Sequence, residues 1–264
     1  MMHGLSHRDG PWLVGLIVAA CVLYPTAVAR LKLWTYRLAR GGQFDKALRL
    51  NRAWRRFIPL YGESLEGSIL FNAGRYREAR ELLMPLAFDR FGNPRIESTA
   101  LYTYTLALTN DGLAAEARPL LEAAVDGPHP RSSFQVALAG CLLTLDKDPE
   151  RARALMEQVM AKEPIPEYGK NADQARRLAR YAWALAGCGK REEAEAQIKA
   201  AFAGSFSLKP SDRAGLQYFA GQAWRVLGEN DKSRAAFYEA IALSPDGSTA
   251  MSARTGLAKL DGKV

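Results

Sequence analysis

Histidine and cysteine are scarce in this 264-residue chain, three of each, and their scarcity removes several kinds of chemistry at once. His3 and His7 lie in the opening tail, and His129 sits in Gly127-Pro128-His129-Pro130, which reads as a rigid bend. Neither Cys141 nor Cys188 stands in a motif that marks a nucleophile or a metal ligand, and Asp-rich metal-loop spacing is absent. With the third cysteine, Cys21, far from both, no disulfide framework emerges. Cys141 and Cys188 read as thiols buried in helices, a single bridge between them staying open for an exported chain. The usage leans toward a reducing compartment. One phosphate-loop look-alike, Gly187-Cys188-Gly189-Lys190, fails because Arg191 occupies the hydroxyl position and Ala184 the leading glycine position. The sequence therefore predicts no enzyme, no cofactor and no metal.

Acidic residues are in deficit, 28 against 36 Lys and Arg, giving a formal charge of +8. Residues 1–29 contain only Arg8 and Asp9, so the rest of the chain holds the whole excess. A basic chain fits nucleic acid, anionic lipid or acidic protein. No nucleic-acid motif is present, so that class of partner is set aside.

Charge is also missing from Pro11–Ala29, nineteen residues that would span roughly 28 Å as a helix, about the thickness of a bilayer core. Arg30, Lys32, Arg37 and Arg40 follow before the first acid, Asp45. This predicts a single-pass transmembrane helix over 11–29. The amino terminus would lie outside, the rest in the cytoplasm at the inner membrane, with anionic lipid near those four cations. Two other readings stay open. A signal peptide, cleaved after Ala29 or retained as an anchor, would make the chain periplasmic. Val18-Ala19-Ala20-Cys21 resembles a lipoprotein box, although an apolar stretch follows it.

Strand signals are nearly absent beyond residue 30, and apolar residues recur at helical spacing. Turn residues recur too, at Gly42, Gly74, Gly112, Lys147-Asp148, Gly189 and Gly228, spaced by 32, 38, 35, 42 and 39 residues. Five residues after each turn stands a small residue (Ala47, Ala79, Ala117, Ala152, Ala194, Ser233). Four further on comes a mostly larger one (Asn51, Leu83, Leu121, Met156, Ile198, Phe237). Seven residues before each turn is another small one: Thr35, Gly67, Thr105, Gly140, Ala182 and Gly221. Such spacing lets two antiparallel helices approach where small side chains face each other, with larger ones filling the gaps.

The pattern resembles the tetratricopeptide repeat (TPR) family across most of Leu31–Asp246. Gly221–Pro245 matches best, departing at Ser233, and Gly67–Leu83 also matches well. The expected fold is all-α: an N-terminal transmembrane helix, then a right-handed α-solenoid of about six TPR-like helix pairs with a short C-terminal capping helix. The expected boundaries are a polar tail at 1–10, the membrane helix at 11–29, repeats at 30–248, and cap and tail at 249–264.

The resemblance implies that the first helix of each pair lines a concave groove that binds a partner segment. Carried over unit by unit, the groove residues are Lys32, Tyr36 and Arg40; Tyr61 and Asn72; Tyr102 and Asn110; Arg176, Arg180 and Trp183; Tyr218, Gln222 and Arg225. No Asp or Glu falls at these positions, so the groove should suit an extended or helical segment bearing carboxylates and apolar anchors. The resemblance thus implies a membrane-anchored protein-interaction scaffold, a subunit or assembly factor of a bacterial membrane complex. The exported reading implies a role in envelope protein assembly or quality control instead. The family's lysine-and-asparagine arrangement for a terminal carboxylate is not reproduced.

Overall fold

The computed structural model describes residues 26–89, 92–127, 131–165 and 171–262. Within them α1 covers 26–40, followed by α2 (Phe44–Arg55), α3 (Pro59–Asn72), α4 (Tyr76–Phe88), α5 (Pro94–Asn110) and α6 (Ala114–Val125). Next come α7 (Ser132–Thr144), α8 (Pro149–Lys162), α9 (Ala172–Gly187) and α10 (Arg191–Phe202). After a 3-10 turn at Ser205–Ser207, α11 (Pro210–Val226), α12 (Asn230–Leu243) and α13 (Ser248–Leu260) complete the chain. No strand occurs among the described residues.

One turn recurs in all six helix pairs. Its backbone N–H reaches back five residues to a carbonyl near the end of the first helix: Gln43 to Leu38, Arg75 to Leu70, Leu113 to Leu108, Lys147 to Leu142, Lys190 to Leu185 and Glu229 to Trp224, all at 2.9–3.0 Å. The bond satisfies a carbonyl orphaned by the helix end and needs one residue in the left-handed region. Glycine fills that position in five turns, with φ between 72° and 82°. In the fourth, Asp146 and Asp148 adopt φ of 50° and 51°, and Asp148 also caps α8 by accepting from the Arg151 N–H.

Small residues set the spacing within pairs. Ala47, Ala79, Ala117, Ala152, Ala194 and Ser233 are all at 0% exposure. A Cβ on Gly67 would lie 2.4 Å from Leu83 Cγ, so the larger residue of α4 rests on the bare backbone of α3. Ser233 keeps its hydroxyl satisfied by donating to the Gly221 carbonyl at 2.8 Å. The first pair is joined by a buried Trp54 Nε1–H bond to Thr35 Oγ1 at 3.1 Å.

Odd- and even-numbered helices form two layers. Each odd helix from α3 to α11 also touches the next odd one, and α13 touches α3, so the inner layer closes on itself. Three contacts make this closure. Tyr76 OH donates to the Ser248 carbonyl at 3.0 Å, Ser252 Oγ donates to Asn110 Oδ1 at 2.9 Å, and Met251 Sδ packs over the bare backbone of Gly74. The C-terminal helix is therefore a closing segment as well as a cap on α12, where Phe237, Ala240 and Ala253 form its buried contact.

The membrane expectation is corrected. No helix among the described residues is long and apolar enough to cross a bilayer. Of the predicted span, 11–25 lies outside the described residues, and 26–29 begin α1. That helix carries Arg30, Lys32, Arg37 and Arg40, a density of cations that hydrocarbon does not tolerate. Val28 is buried at 8% exposure within the protein, and Lys32 Nζ lies 3.8 Å above the Tyr61 ring. The chain described is an all-α helical-repeat solenoid. His129 and the tail histidines lie outside the described residues. Cys141 and Cys188 are both free, and Cys141 is buried with its Sγ 3.2 Å from the Ala114 carbonyl.

Candidate functional site: the concave chamber

The closed inner layer surrounds a chamber of about 650 Å³ lined from α1, α3, α5, α7, α9, α11 and the start of α13. Among the residues expected in the groove, Tyr36, Arg40, Asn72, Tyr102, Asn110, Arg176, Arg180, Trp183 and Tyr218 line it. Lys32, Tyr61, Gln222 and Arg225 do not. Tyr61 packs against Trp54 with ring centroids 6.2 Å apart, and Gln222 is buried behind Tyr218.

The two sides of the chamber differ in what they offer a ligand. On α3, α5 and α7 the polar side chains spend their protons on their own helices. Ser68, Thr99, Thr103, Thr109 and Thr144 each donate to the carbonyl four residues back, at 2.8–3.0 Å. Asn72 and Asn110 do the same through Nδ2, both at 2.8 Å. What remains is mainly oxygen lone pairs and methyl groups, with the second Nδ2 proton of each asparagine and the Tyr102 hydroxyl as donors, so this side is richer in acceptors.

The α9–α11 side adds cationic and phenolic donors. Arg180 lies with its guanidinium carbon 4.4 Å from the Phe219 ring centroid, and Phe219 stacks on Trp183. Its Nε is closed off from solvent without a hydrogen-bond partner among the described residues. Burial lowers its pKa from the ordinary 12.5, while arginine remains cationic at neutral pH. Tyr102 and Tyr218 are close enough to interact with it electrostatically, and burial raises both phenols. Tyr218 OH accepts from Gln222 Nε2 at 3.2 Å, Gln222 Oε1 accepts from Arg225 Nε at 3.0 Å, and Arg225 lies 3.4 Å from Asp146. With that acceptor role filled, the Tyr218 hydroxyl proton is left to donate elsewhere.

The acid-free groove read from the sequence is corrected as well. Asp173 and Asp212 line the chamber, and both pair with Arg176, at 2.5 and 2.8 Å. They come from the first turns of α9 and α11, where a carboxylate is favoured by the helix end. Asp173 stands three residues before Arg176, a spacing that forms ion pairs on a helix and was visible in the sequence. Arg177 pairs with Glu163. Two of the three α9 arginines are thus neutralised, and Arg180 is the one without a carboxylate.

Among the described residues no cluster of three His, Cys, Asp or Glu could hold a metal. Burial raises both the Cys141 and Cys188 thiols above their ordinary value, which disfavours the thiolate.

Fold and site together define a class: an α-solenoid of TPR-like helix pairs whose inner helices surround a concave chamber. Among solved structures the chain is similar to a single-substitution variant of a kinesin light chain-like protein of Podosopora anserina with nearly identical TPR-like repeats. The identity is 20%, the TM-score 0.47, and 70% of this chain and 94% of that one are covered. The same protein without the substitution gives 20%, 0.46 and the same coverage. At this level the likeness adds nothing to what the repeats themselves display. No family model matches the chain, and no curated protein does.

Proposed function

We propose that the protein is a protein-interaction scaffold that takes a segment of a partner protein into its chamber, as a subunit or assembly factor of a larger complex. The observation that carries this reading is the split between the two sides. An extended peptide backbone alternates donors and acceptors, and the chamber offers accepting oxygens from α3 and α5 opposite donors from α9 and α11. Aromatic anchors line the same space at Tyr102, Trp183, Tyr218 and Phe219.

The test is photo-crosslinking inside the protein's own cells. A benzophenone amino acid replaces Tyr102 or Phe219 in the chamber, or Phe206 and Tyr238, which are exposed at 86% and 57% and lie outside it. The reading expects one discrete adduct from the chamber positions, mapping to a single partner segment. Adducts from the outer positions alone would refute it.

A further inference from the structure

We propose that Arg180 is the anchor for one carboxylate side chain, an Asp or Glu, of the segment held in the chamber. The inference rests on the partner-segment reading and adds to it the chemistry at one position.

Arg180 is placed for a ligand rather than for the fold. A structural arginine in the interior normally finds a carboxylate, as Arg176 does twice and Arg177 once in the same helix. Arg180 instead has an aromatic ring beneath it and an unpaired Nε. The small residue Gly140 faces it, where a Cβ would stand 3.4 Å from that Nε. Tyr218, held as an acceptor by Gln222, has its own hydroxyl proton available on the same side of the chamber. A guanidinium with a neighbouring phenol proton presents donors suited to an oxyanion.

Charge selects the carboxylate over more highly charged anions. Asp173 and Asp212 balance Arg176 and Arg180 in the same chamber, and Arg40, which also lines it, leaves one net positive charge for the incoming group. A carboxylate brings one charge to meet it. A dianionic phosphate would bring a second into a space that already holds two acids, where low polarity amplifies repulsion. The acceptor-rich α3–α5 side then serves the N–H groups of the peptide on either side of the acid.

The experiment uses the full-length protein and a displayed library of random twelve-residue peptides. Selection with the wild type should enrich sequences carrying an Asp or Glu at one fixed position. Arg180→Met should weaken the preference for that acid by about tenfold to a hundredfold while leaving the other enriched positions in place. Tyr218→Phe should weaken it less. Circular dichroism of each variant, compared with the wild type, shows whether the fold is retained. Enriched peptides without a fixed acid, or an acid preference unchanged in Arg180→Met, would overturn the carboxylate anchor and leave the partner-segment reading standing. No enrichment at all would overturn both. Displacement of a selected peptide by an equal concentration of free glutamate would put a small molecule at Arg180 and likewise overturn the proposal.

Discussion

Replacing Gly221 by alanine separates packing from helix propensity. In an exposed helix interior the change stabilises by about 1 kcal/mol, because glycine loses more backbone freedom on folding. Here the new Cβ would stand 2.7 and 2.8 Å from Phe237 Cε1 and Cδ1, distances that force a shift. The ring cannot retreat, because its other face rests on Gly256, where a Cβ would lie 2.6–2.9 Å away, and Phe237 is at 0% exposure. Overpacking a filled core costs about 1–3 kcal/mol, and a ring trapped between two helices belongs at the upper end. After the propensity gain, Gly221→Ala should destabilise by about 2 kcal/mol. That corresponds to a fall of about 4–8 °C in Tm for a chain of this size. In a repeat array the loss concentrates locally, so hydrogen exchange should rise first across α11, α12 and α13. Adding Phe237→Leu to Gly221→Ala should cost less than the two separate changes sum to, since the smaller side chain leaves room for the methyl group. A Gly221→Ala protein that melts at or above the wild-type temperature would refute the close helix approach on which the repeat geometry depends.

Other consequences follow from the same contacts. Arg180→Met removes a cation–ring contact worth about 1 kcal/mol but also an unpaired buried donor that costs about 1–3 kcal/mol. Its thermal melt should therefore match or exceed the wild type, and a clear fall would show that Arg180 serves the fold. Ser252→Ala combined with Tyr76→Phe removes both hydrogen bonds that close the inner layer, each worth about 1 kcal/mol. Small-angle scattering should then report a larger radius of gyration at unchanged helix content; an unchanged radius would mean the closure does not depend on those bonds. Burial raises the Tyr76 phenol from 10 to about 12, so the folded state holds that proton more tightly than the unfolded chain. The resulting stabilisation, about 2–3 kcal/mol, is complete below pH 10 and is lost as pH rises through about 12. Urea midpoints should therefore fall more steeply over that window for the wild type than for Tyr76→Phe, and parallel curves would contradict the assignment.

The repeat was legible in the sequence because its determinants are local. A left-handed turn residue, a small residue five positions on and another seven positions back recur within one helix pair. Each has a direct counterpart in a turn bond, a buried alanine or a bare glycine backbone. The closure by α13 was not legible, since the meeting of Ser248 with Tyr76 and Ser252 with Asn110 depends on rotation accumulated over four helix pairs. Small differences in each connecting loop decide whether such ends touch or pass. The site was half legible for a related reason. Helical periodicity put Tyr102, Arg180 and Tyr218 on the inner face, and the three-residue spacing showed the Asp173–Arg176 pair, but not Asp212, which reaches Arg176 from α11. Gln222 and Arg225 follow the same periodicity yet lie behind Tyr218, because α11 turns that face toward the Asp146 turn. The apolar run at Pro11–Ala29 was read as a span by its composition, whereas its last residues start a cation-bearing helix that packs on α2 and α3.

The most direct test of the chamber as a recognition site is the indole N–H spectrum of the protein with and without a selected acidic peptide. Trp183 lines the chamber at 2% exposure, whereas Trp54 is buried between α1, α2 and α3, and Trp34 is 62% exposed and lies outside it. Recognition in the chamber predicts that the Trp183 signal shifts on titration while Trp54 holds still, and that Arg180→Met moves the shift to higher peptide concentration. A titration that moves Trp34 and leaves Trp183 unchanged would place the partner on another face and contradict the account.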